Sequence, residues 1–178
     1  RCIVTNDCDF DEFLSNVVTN SRFMTGAVRA FSPSDTMNLL EELGLTIKVE
    51  RGNRVFPASD KSSDVIKTFE RGLKNEGVEI LFGTKAEKIL VSDNRVTGVE
   101  VSSVSGVGGS GDKRVIDCDR VVVCTGGVSY PTTGSTGDGY KFAEKAGHTV
   151  MKARPCLCGL YLKGDFTALA GLSLKNIG

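Results

Sequence analysis

Tryptophan is absent, histidine occurs once in 178 residues, and the formal charges cancel at 22 Lys plus Arg against 22 Asp plus Glu. That balance leaves no electrostatic footprint for nucleic acid or an anionic membrane surface. No apolar run approaches the roughly 18 residues that a membrane-crossing helix needs. The six cysteines, at positions 2, 8, 118, 124, 156 and 158, include no C-x-x-C pair, which removes the usual zinc and thioredoxin-like spacings. We read them as thiols of a reducing compartment, Cys124, Cys156 and Cys158 among them as structural. The first residues, RCIVTNDCDF, have neither the basic start nor the apolar centre of a signal peptide. A cytoplasmic protein is the expectation, with no metal and no nucleic-acid or membrane partner. Nucleophile elbow, HExxH and acidic metal cluster are also missing, and the lone His148 follows a helix end as a surface or packing residue. Catalytic residues stay unassigned.

What is present is ordinary in bulk and informative in order. At 40% hydrophobic and 25% charged residues, the chain can bury a core and is not disordered as a whole. Residues 9–18 read as a short helix opened by acidic residues, and 21–31 as another. Ser32-Pro33-Ser34-Asp35 supplies an N-cap, a proline at the first helical position and early negative charge, ahead of MNLLEEL and a stop at Gly44. TIKVE (46–50) and RVF (54–56) flank Arg51-Gly52-Asn53 as a hairpin. A helix follows from about Ser62 to Glu76, with Val65, Ile66, Phe69 and Leu73 on one face and Gly77 as its stop. VEILF (78–82) then reads as a strand, and helix into strand is an α/β signature.

From Lys85 to Cys118 the pattern becomes three strands, AEKILV, RVTGVEVSS and KRVIDC, joined by Asp93-Asn94 and by a flexible loop at 106–111. Short connections make them an antiparallel meander. DRVVVCTGG is too apolar to be half exposed, which predicts a central strand ending in Thr125-Gly126-Gly127. Glycine at the carboxyl end of such a strand leaves room for a ligand's close approach. Gly134-Ser135-Thr136-Gly137-Asp138-Gly139 then leads into the helix YKFAEKA, stopped by Gly147, whose first amides face an anion if one is there. On residue chemistry alone, ligand contact and plain turn explain these glycines equally well.

Three stretches, RCIVTN, RVFPASDKSSDVI (54–66) and VVVCTGGVSYPTTGSTGDGYKFAEKAGHTV (121–150), together resemble the BaiN-type flavoprotein family. These are NAD(P)/FAD-dependent oxidoreductases, also described as aminoacetone-oxidase-like. The resemblance implies an α/β fold: a partial glutathione-reductase-like FAD-binding Rossmann domain over 1–155, with its meander at about 84–118. The start of an inserted, mostly β domain would occupy 156–178. It implies FAD as cofactor and NAD(P)H as reductant, with hydride passing through the flavin to a small molecule. By position, Arg1, Cys2, Thr5 and Asn6 would lie by the flavin, with Ile3 standing where the family has Asn. Ala86 would meet the adenine through its backbone. Thr125, Gly126 and Gly127 would run past the FAD, and Gly134, Ser135, Thr136, Gly137 and Gly139 would line the loop near it. The family's N-terminal βαβ unit with its glycine-rich turn has no counterpart in these residues. The chain is therefore expected to be an internal, inactive fragment that binds FAD weakly and self-associates through exposed sheet edges. The alternative is a non-catalytic nucleotide-binding or structural module of the same fold.

Overall fold

A computed structural model describes residues 2–104, 112–154 and 163–169. Two compact units divide the chain, one reaching Ile80 and the other running from Leu81 to Ala168.

In the first unit, α1 (Phe10–Ser15) begins where the Asp9 side chain accepts the Glu12 N–H at 2.8 Å. After α2 (Ser21–Ala30), α3 (Pro33–Glu42) opens on a full capping box. Ser32 Oγ accepts the Asp35 N–H at 3.2 Å, and Asp35 Oδ2 accepts the Ser32 N–H at 2.7 Å. The helix closes as a Schellman motif: Gly44, at φ +83°, donates to Glu41 O, and Leu45 donates to Leu40 O. β2 (Ile47–Glu50) and β3 (Arg54–Pro57) form the expected hairpin, with Gly52 and Asn53 of the turn both at positive φ. β1 (Thr5–Asn6) adds antiparallel to the other side of β3, giving the order β1-β3-β2. Leu40, Leu45 and Val65 form the core cluster, against which Cys2, Val4 and Ile47 pack, while Val55 and Phe56 are buried in β3.

Helix α4 (Ser62–Asn75) ends on Gly77 in the same Schellman pattern, with Val78 N–H donating to Leu73 O. Its buried side differs from the expected stripe. Val65 is buried beside Thr68, but Ile66, Phe69 and Leu73 are exposed.

In the second unit, β4 (Thr84–Ser92), β5 (Arg95–Ser103) and β6 (Lys113–Asp117) form the predicted meander in the order β4-β5-β6. Asp93 and Asn94, at φ +49° and +60°, close the first hairpin as a type I′ turn, which matches the twist of the strands. A 3-10 turn (Pro131–Thr133) and α5 (Asp138–Lys145) follow. Gly147 donates to Glu144 O and His148 to Ala143 O, so the lone histidine completes a third Schellman motif.

Two expected strands are corrected. Neither 78–82 nor 121–125 is a strand, and neither has a ladder partner among the described residues. A strand exists only through hydrogen bonds to a neighbour, and an apolar run has none to offer itself. Both runs are correspondingly bare: Phe82 is 74% and Val122 85% exposed. The 106–111 loop, Cys156, Cys158 and the boundary at 156 lie outside the described residues.

Candidate functional site

The glycine-rich stretch folds as two segments locked face to face. Thr125 Oγ1 accepts the Gly139 N–H at 3.1 Å. A Cβ on Gly139 would stand 2.5 Å from that oxygen and 3.1 Å from Val123 Cγ1. On Gly126, at φ +70°, it would meet Ser135 Oγ at 2.8 Å; on Gly137, at φ +77°, it would meet Val128 Cγ1 at 2.8 Å. A Cβ at any of the three would force Ser135, Val128 or Thr125 to shift, and at Gly126 and Gly137 the positive φ adds backbone strain, so the chain's own packing and backbone favour glycine at all three. Gly127 and Gly134 are different. Nothing lies within 4 Å of the Cβ direction of Gly134, and only Tyr140 Oη, at 3.9 Å, near that of Gly127.

The first turn of α5 carries its own negative charge. Asp138 accepts from Lys141 Nζ and from the Thr136 hydroxyl, each at 2.8 Å. The Lys141 ammonium first, and the Thr136 hydroxyl second, hold its carboxyl below the usual range. With Gly139 N–H given to Thr125 and Tyr140 N–H to Gly137 O, this helix end offers little to an incoming phosphate.

The other expected contacts fall as follows. Arg1 lies outside the described residues. Cys2 is half-buried against the core of the first unit, and Thr5 pairs with Val55. Asn6 donates from Nδ2 to Gly52 O at 2.8 Å, which pins β1 to the hairpin turn. Asn6 also lines a cleft of about 490 Å³ with Glu12, Phe13, Asn16, Val17, Gly52 and Asn53. Sequence reasoning missed all of these but Asn6, because they come from three separate segments and no spacing links them. Ala86 pairs with Val101 beside a bulge in β4, half-buried. A second cavity of about 250 Å³ lies between β4 and α5, lined by Lys88, Ile89, Leu90, Val91, Phe142, Lys145 and Ala146. Thr125–Gly127 and Gly134–Gly139 are thus brought together in the second unit.

Burial first, then the nearby Glu12, Asp9 and Asp7 carboxylates, push the Cys8 thiol up, which disfavours the thiolate. No group of His, Cys, Asp or Glu fit to hold a metal occurs among the described residues.

A three-stranded meander leading into a T-G-G loop and a glycine-framed helix start defines a piece of a Rossmann-class α/β domain. The chain belongs to the family described as HI0933-like protein Rossmann domain, whose match covers residues 1–178, and this is the BaiN-like FAD-dependent oxidoreductase family that the sequence resembles. Among curated proteins it is similar to the 3-dehydro-bile acid delta(4,6)-reductase of Clostridium scindens, with 28% identity over 97% of this chain and 39% of the relative. It is also similar to the ribosomal RNA dihydrouridine synthase of Haemophilus influenzae, with 26% identity over 87% of this chain and 37% of the relative. A probable ferredoxin reductase CtmF of Castellaniella defragrans is 36% identical over 51% of this chain and 19% of its own length. The chain spans about two fifths of the length of the first two of these.

Proposed function

We propose that this chain supplies part of the FAD site of an oxidoreductase that moves hydride from NAD(P)H through the flavin to a small-molecule substrate. The observation that carries the reading is the division among the glycines. Three are consumed by packing, yet Gly127 and Gly134 keep open backbone faces on the same locked loop, as a nucleotide lying along the chain requires. Ser135 stands beside them, and Ala86 adds a backbone contact at the β4 bulge. Within the first unit, taken by itself, Cys2, Thr5 and Asn6 are the candidate contacts that the family resemblance implies, and Asn6 lines a cleft there. Bound FAD supplies the electron chemistry; the protein supplies position and exclusion of water. The zero net charge supports a small molecule over RNA as the substrate. No acid or base is assigned.

The test is a visible absorption spectrum of the full-length natural protein and of the 178-residue chain, each with and without added FAD. Flavin held by the full-length protein and weakly or not at all by the short chain is the expected result. A full-length protein that takes up no flavin would make the non-catalytic module the better reading. The bare Phe82 and Val122 further support self-association of the short chain. Sedimentation of the same sample as a strict monomer would count against that part.

A further inference from the structure

We propose that Thr125 is a positioning residue of the cofactor loop: its hydroxyl, by accepting the Gly139 N–H, fixes the Gly126-Gly127 backbone in the orientation a nucleotide meets. This rests on the flavin reading above and adds to it a role for one side chain. Two successive glycines have the widest backbone freedom of any dipeptide, so they cannot hold a direction of their own. The loop is instead held from both sides. Upstream, Thr125 Oγ1 is 3.1 Å from the Gly139 nitrogen. Downstream, the Cα of Gly126 is pressed so close to Ser135 Oγ that an added Cβ would come within 2.8 Å. Thr125 is also β-branched, which restricts χ1 and ties the hydroxyl's direction to the backbone that carries it. The open face of Gly127 follows directly after this double anchor. Thr125 thus acts through the loop, by the hydrogen bond that its hydroxyl oxygen accepts from Gly139.

Two substitutions separate the hydrogen bond from the shape. Thr125→Val keeps the branch and nearly the volume but has no acceptor; Thr125→Ser keeps the acceptor and loses the branch. In the full-length natural protein, FAD affinity is measured by fluorescence quenching, and the visible circular dichroism of the flavin is recorded at saturating FAD. Loss of one modest hydrogen bond predicts about 3- to 10-fold weaker binding for T125V, with an altered flavin band. T125S is expected within about twofold of the parent and with the parent's band, since its acceptor remains. A T125V protein with lowered melting temperature but the parent's affinity and band would mean a merely structural role and overturn the proposal. A parent without flavin would sink the flavin reading and this assignment together. A flavin-bound parent matched by T125V would sink this assignment alone. If T125V cannot be recovered, Thr125→Cys carries the same test, its sulfur being a weak acceptor of similar size.

Discussion

The two units are stabilised by different means. In the first, among its described residues, eight apolar side chains are buried: Val28, Pro33, Leu40, Leu45, Val55, Phe56, Pro57 and Val65. The second, among its described residues, buries the apolar side chains of Val101 and Phe142, and its order comes from strand ladders and from side chains packed directly against glycine backbone. A side-chain core tolerates small adjustments around each residue, whereas a glycine packed against a neighbouring side chain gains a Cβ only if that neighbour shifts. Candidate cofactor contacts concentrate in the second kind of structure. Glycine-framed loops present peptide groups to a ligand, and that is incompatible with covering them by apolar side chains.

The largest effect expected is in the first unit. Leu40 is 1% exposed at the centre of its cluster, so Leu40→Ala should cost about 2–5 kcal/mol through lost burial and a residual cavity. Urea unfolding measures it, and a cost well under 1 kcal/mol would mean that the cluster is not the anchor it appears from its burial. Gly98→Ala puts the same question to the second unit. Its Cβ would stand 2.8 Å from the Ile116 carbonyl oxygen, a backbone atom of the paired strand β6. A cost of about 1–3 kcal/mol is expected, with lost amide protection confined to β5 and β6. Protection lost equally in the first unit would erase the distinction between them.

Much of this fold was legible because it is written in local rules. Ser32-Pro33, Gly44, Gly77, Gly147 and Asp93-Asn94 each act on their immediate neighbours, and each does in the structure what its residue type predicts. The strands at 78–82 and 121–125 were misread because a strand is a relation between two segments, and no partner for either occurs among the described residues. The glycines of the candidate site were legible as a cluster but not individually. Which of them meets Ser135, Val128 or Thr125, and which is left open, depends on contacts over about a dozen residues that no spacing encodes. The cleft at Asn6 was illegible for the same reason.

The smallest effect contrasts the two helix starts, α3 and α5. At α3, hydrogen bonds from the Ser32 backbone first, and its hydroxyl second, hold the Asp35 carboxyl below its ordinary 3.8. Asp138 of α5 is held low mainly by the Lys141 ammonium. Both groups have a folded pKa below the unfolded one. Their contributions are therefore fully present above the unfolded value and are lost as pH falls through the folded value, below 3.8. Salt tells them apart. The exposed Lys141–Asp138 pair is screened at high ionic strength, so the acid response of α5 should flatten with added salt. The capping box of α3 works by short hydrogen bonds to neutral groups and should keep its response. Ser32→Ala removes the hydroxyl half of that box, for a loss of about 0.5–2 kcal/mol at neutral pH and a smaller loss in acid, where Asp35 no longer reciprocates. Amide protection in the first turn of each helix, followed against pH at low and high salt, measures all of this. If α3 lost its acid response with salt as α5 does, Asp35 would be acting as a surface charge, and the capping box would not be what holds that helix start.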